Sequence, residues 1–129
     1  NDPVKKKKLE DIIHPLVEQE RNKMIEEIKK KSKNAIIALD IPLLFEARLE
    51  KSVNYIICAY ADLETIYNRV KARDGISKED FLIRIKNQIP LEEKVKRSHF
   101  IIDTRKDIKE IELELKNIIR KIAPDFIFH

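Results

Sequence analysis

The 129 residues carry 27 Lys and Arg against 23 Asp and Glu, a formal net charge of +4, with a pI near 9.1. The length predicts a single domain able to bury a real core. The one cysteine, Cys58, excludes a disulfide framework and suits an intracellular, cytoplasmic protein; no apolar run is long enough to cross a membrane and no signal peptide is visible. The one glycine, Gly75, excludes a Walker loop or a GxGxxG loop within these residues, because either needs several glycines to wrap its backbone around phosphate.

In chain order, Leu9, Ile12, Ile13, Leu16 and Val17 recur at helical spacing, and Met24, Ile25 and Ile28 continue the stripe. Pro15 inside that pattern predicts a kink or a new helix start, since it removes an N–H and disfavours helical geometry at His14. Residues 35–41 (AIIALDI) and 53–60 (VNYIICAY) read as short apolar strands, the pattern of a parallel sheet covered on two faces. Asp62 is a candidate cap for a helix that Gly75 would end. Ser77, with Asp80 three residues on, opens a second helix whose apolar face is Phe81, Leu82 and Ile85. A short helix follows Pro90, residues 98–104 give a third strand, and a long amphipathic helix runs on until Pro124. Strands alternating with helices predict an α/β protein with a mostly parallel sheet flanked by helices.

Few residues suggest chemistry by position. Asp40 ends a predicted strand, where open α/β sheets bind ligands, although an acid there can also cap the next turn. Arg69 and Arg73 share a helix face, and Arg84 follows beyond Gly75. Three arginines around one turn suit a polyphosphate clamp, because guanidinium binds phosphate oxygens bidentately and keeps its charge. They also suit a solvated basic face. His14, His99 and His129 stand at no metal-ligand spacing.

Three strings occur in order with compatible gaps: LEDIIHPLV, IALDIPLLFEARLEK, and RVKARDGISKEDFLIRIKNQIPLEEKVKRSHFIID. Together they resemble the dephospho-CoA kinase family over about residues 1–122. The resemblance implies a P-loop kinase-like α/β sheet, with a helical substrate-side region over 1–34, strands and lid helices over 35–104, and a C-terminal helix and tail over 105–129. It implies transfer of the ATP γ-phosphoryl group to the ribose 3′-hydroxyl of dephospho-CoA, with ATP and Mg2+ as the required small molecules.

Residue by residue, the resemblance makes Asp40 the catalytic and metal-side acid. It puts Pro42, Leu43, Leu44, Phe45 and Glu46 on the loop facing the acceptor, and His14 and Pro15 on the helix lining that side. Arg69 and Arg73 become the pair leading into the lid, one near adenine and one near phosphate, with Arg73 also catalytic. Arg84 and Lys94 match lid and post-lid basic positions, Lys94 on the substrate side. The family usually has Ala-Asp where Ser98-His99 stand, and Asn on the adenine side where Thr104 stands.

The family's opening strand, its phosphate loop and the acid that is a candidate base have no counterpart here. The expectation is therefore a kinase fold lacking its central loop-bearing strand, inactive unaided. The resemblance places that strand between 35–41 and 53–60, so both should expose ladder edges and favour self-association or a retained N-terminal fragment. A competing reading, a basic helical module for nucleic acid or protein partners, meets two objections: no aromatic residues interleave the basic runs, and the acidic residues nearly balance them.

Overall fold

The computed structural model describes residues 2–128 and divides into two compact units, Asn1–Asp40 and Ile41–His129. The first unit is dominated by α1 (Pro3–Lys31). Asp2 caps it, its side chain accepting from the Val4 N–H at 3.0 Å, and three lysines crowd its last turn, where the helix dipole favours cations. Of the two outcomes predicted at Pro15, a new helix start does not occur: the helix runs through it. One lost backbone bond is outweighed by flanking runs of strong helix formers, which include the spaced ion pairs Lys6–Glu10 and Glu26–Lys29.

Residues 35–41 are the main departure from the predicted elements. They form no strand. A strand exists only through a neighbour's ladder, and none of the described strands pairs with this segment. Its Ile37, Ala38 and Leu39 instead line, with Val17, Met24, Ile25 and Ile28 of α1, an apolar cavity of about 410 Å³.

The second unit holds the sheet. β1 (Ile57–Tyr60) and β2 (Phe100–Asp103) pair in parallel, with Ile57 opposite Phe100 and Tyr60 opposite Asp103. The connection between them carries α2 (Leu63–Asp74), α3 (Lys78–Lys86) and α4 (Leu91–Arg97); α5 (Ile108–Ile122) follows β2. α4 packs on β1, α5 on β2, and α2 on α3. The expected cover on both sheet faces is not reached: Ile57 and Ile101 are exposed, and the buried residues of this unit are Phe45, Ile56, Ala61, Phe81, Ile102 and Ile118.

The punctuation follows the sequence closely. Asp62 caps α2 through the Thr65 N–H at 3.1 Å, and Gly75 ends it in the left-handed region, at φ 67°. Ser77 caps α3 through the Asp80 N–H at 3.1 Å. Phe81, 3% exposed, then packs its ring 5.2 Å from that of Tyr67, fixing the α2–α3 hairpin.

Candidate functional site

The carboxyl ends of β1 and β2 lie side by side, and the chain leaving each is tied to the other. Thr104 donates its N–H to the Tyr60 carbonyl at 2.9 Å and its hydroxyl to the same oxygen at 3.0 Å. Arg69, reaching from α2, donates to the Thr104 hydroxyl and carbonyl, both at 2.8 Å. Arg69 and Thr104, both expected near a nucleotide, are thus direct partners. Beside them Arg105 chelates Asp103 through bonds of 2.9 and 2.7 Å, lies 3.5 Å from the α2 cap Asp62, and stacks 5.5 Å over the Tyr60 ring. Those bonds hold the Asp103 carboxyl far below the usual carboxylate range and push Arg105 up. The sequence pattern Asp-x-Arg carried this signal, but only the fold adds Tyr60 and Asp62.

At the far end of α2, Arg73 clasps Asp74 through Nε at 2.8 Å and a terminal nitrogen at 3.0 Å. Arg84 of α3 reaches the same carboxylate at 3.2 Å. Hydrogen bonding to Arg73, with a smaller share from Arg84, lowers the Asp74 pKa. All three groups are exposed, so the cluster is a solvent-facing device and not a core ion pair.

The IPLLFE stretch forms a compact turn on the second unit. Ala47 N–H bonds the Leu43 carbonyl at 2.9 Å and Leu49 N–H the Leu44 carbonyl at 3.0 Å. Leu43 and Arg48 take positive φ, 58° and 55°, a conformation that costs a residue with a Cβ about 1–2 kcal/mol. Phe45 is the buried anchor, with Arg97 stacked 5.8 Å over its ring. Glu46 meets Lys94 of α4 at 2.9 Å, with less than a fifth of either side chain exposed. At that distance the contact is charge-assisted, and neither Glu46 carboxylate oxygen has another hydrogen-bond donor among the described residues. Pro42 and Leu43 are exposed, while Leu44 is half-buried.

His14 and Pro15 sit exposed on α1, and Asp40 is exposed at the end of the non-helical segment that closes the first unit. Sequence reasoning missed His99. Its Nδ1 accepts the Ile56 N–H at 2.9 Å and its ring meets Tyr55 edge-on at 5.5 Å, stitching the start of β1 to the chain entering β2. The imidazole thus supplies the acceptor for the N–H of buried Ile56.

Two adjacent parallel strands, a helical connection between them and basic groups gathered where the strands end define an α/β protein of the P-loop kinase type. The comparisons narrow this. A family model described as dephospho-CoA kinase matches residues 1–110. A dephospho-CoA kinase of Bartonella quintana is 37% identical over 122 residues, covering 95% of this chain and 62% of that protein. One of Carboxydothermus hydrogenoformans is 39% identical over 113 residues, covering 88% and 54%. The crystal structure of TT1252 from Thermus thermophilus superposes with a TM-score of 0.68 at 32% identity, over 95% of this chain and 62% of that one. The chain belongs to the dephospho-CoA kinase family, and it spans roughly three-fifths of the length of these relatives.

Proposed function

We propose that this chain supplies the lid, the nucleotide-side arginines and the acceptor-facing turn of an ATP-dependent kinase that phosphorylates the ribose 3′-hydroxyl of dephospho-CoA. The observation that carries this reading is the pairing of Arg73 and Arg84 on one carboxylate across the Gly75 turn, within a chain of this family. Phosphoryl transfer asks little covalent chemistry of a protein; it asks for positioning and for neutralisation of charge on the transferring oxygens. Arg73 and Arg84 answer the second need, as permanent cations with N–H groups left over for phosphate.

Arg69 and Thr104 hold the strand ends together and present a polar edge for the nucleotide base. The strained turn at 42–49, pinned by Phe45 and by Glu46–Lys94, is the acceptor-side element of the second unit. His14 and Pro15 of α1 are the acceptor-side residues of the first. Among the described residues no group of three or more His, Cys, Asp or Glu forms a metal cage. Mg2+ needs none, since it leans on one or two carboxylates, on water and on phosphate oxygens. Asp40, an exposed single carboxylate, fits that demand and would hold the ion, which supplies charge neutralisation on the phosphates.

Residues 1–129 contain one glycine and hence no phosphate loop, so transfer requires that loop from a segment outside them. The test joins a relative's phosphate-loop segment ahead of residue 1 and follows CoA formation. Arg73→Ala should lower kcat about 100-fold or more, as loss of one transition-state donor does, with little change in melting temperature. A near-normal kcat/KM would return Arg73 to a solvated surface role.

A further inference from the structure

The Arg73–Asp74–Arg84 cluster has a feature that charge neutralisation alone does not require. The two arginines come from different helices, and the only side chain that touches both among the described residues is Asp74. Asp74 is the last residue of α2, immediately before the left-handed Gly75, so its carboxylate stands at the corner of the hairpin. Its Oδ1 takes one bond from Arg73, and its Oδ2 takes one from Arg73 and one from Arg84. The apolar side of the same hairpin is already fixed by Phe81 against Tyr67. The carboxylate is therefore not needed to hold α2 to α3; what it holds are the two guanidinium ends. Each guanidinium carries five N–H groups, so after these bonds most still point to solvent, around a cluster with net charge +1.

We propose that Asp74 is a positioning residue that yokes Arg73 and Arg84 into one preorganised fork for a polyphosphate. This rests on the phosphate-binding reading of the arginines given above. Two free arginines lose considerable side-chain freedom on meeting an anion, and a partner that restrains them beforehand removes part of that cost. The proposal makes a prediction of unexpected sign. Simple electrostatics says that removing a negative charge beside an anion site tightens binding. A yoke says that removing it loosens binding.

The test uses the 129-residue chain labelled with 15N and titrated with inorganic tripolyphosphate, following the Arg Nε–Hε resonances. In the wild type, Arg73 Nε–Hε is expected to exchange slowly with solvent and to shift on titration. Asp74→Asn should abolish the slow exchange and weaken tripolyphosphate binding about fivefold, the scale set by freeing rotamer-rich side chains. Asp74→Glu, which keeps the charge but displaces the carboxylate, should also weaken it, and thermal melts check that each variant is folded. If Arg73→Ala and Arg84→Ala weaken binding but both Asp74 variants bind as well as wild type or better, the yoke is overturned and the phosphate reading stands. If none of the four variants weakens binding, the phosphate reading of the arginines fails and the yoke fails with it.

Discussion

Lys94→Met should be among the more damaging single changes in the second unit. The ammonium is the only cation paired with Glu46 among the described residues, and both side chains are more than four-fifths buried. Removing it strands a carboxylate that has no hydrogen bond to fall back on. Breaking a fully buried pair costs about 3–5 kcal/mol; the residual exposure here lowers the expectation to about 2–3 kcal/mol. Glu46→Leu alone strands the ammonium, but a lysine stem can turn its head to water, so the loss should be smaller, about 1 kcal/mol. The double variant Glu46→Leu, Lys94→Met removes both charges and leaves apolar groups beside Phe45, so it should recover to within about 1 kcal/mol of wild type. Urea unfolding of the four proteins, compared at constant m-value, gives the coupling energy, expected at about 2–4 kcal/mol from these losses. If the double variant loses the sum of the two single losses, the pair is not coupled and the turn is held by Phe45 alone.

Three further outcomes follow from the same geometry. His99→Phe should destabilise by about 1–3 kcal/mol in urea unfolding, because it leaves the N–H of buried Ile56 without its acceptor, whereas His99→Asp, which keeps an acceptor, should lose less. Asp62, Asp74 and Asp103 all have carboxyl pKa values lowered by their partners, so their contribution to stability is present above the ordinary value of 3.8 and is lost as pH falls from there through their lower folded values; acid melts should drop in that window, and Asp103→Asn should flatten the drop. Burial raises the Cys58 pKa, outweighing the Ser98 hydrogen bond and Lys94, so its alkylation by iodoacetamide at neutral pH should be slower in the folded chain than after unfolding.

What the sequence made legible was local. Asp62, Gly75, Ser77, Pro90 and Pro124 mark helix ends because a cap or a missing N–H acts within a few residues of itself. The parallel sheet was legible from short apolar runs separated by helical spacing. Residues 35–41 read as a strand by the same rule and form none, since an apolar run records a tendency to be buried and not the presence of a neighbour. At Pro15 the alternative of a new helix start fails in the opposite direction, because one proline's cost is small against the long helix on either side. At the site, Arg69, Thr104, Arg73, Arg84, Glu46 and Lys94 were all named, yet none of the bonds they make was. Apart from Arg73 with its neighbour Asp74, those bonds join residues 10 to 48 positions apart, and the Ile56–His99 bond spans 43; no spacing rule reaches that far.

The central claim is that these residues form one part of a phosphoryl-transfer site whose phosphate loop lies outside them. The most direct measurement is ADP release dependent on dephospho-CoA, read side by side for residues 1–129 alone and for the same residues joined to a relative's phosphate-loop segment. The account predicts no turnover from the 129 residues alone and clear turnover from the joined chain. Turnover by residues 1–129 unaided, in protein free of any complete kinase, would contradict it, as would a well-folded joined chain that binds ATP and still transfers nothing.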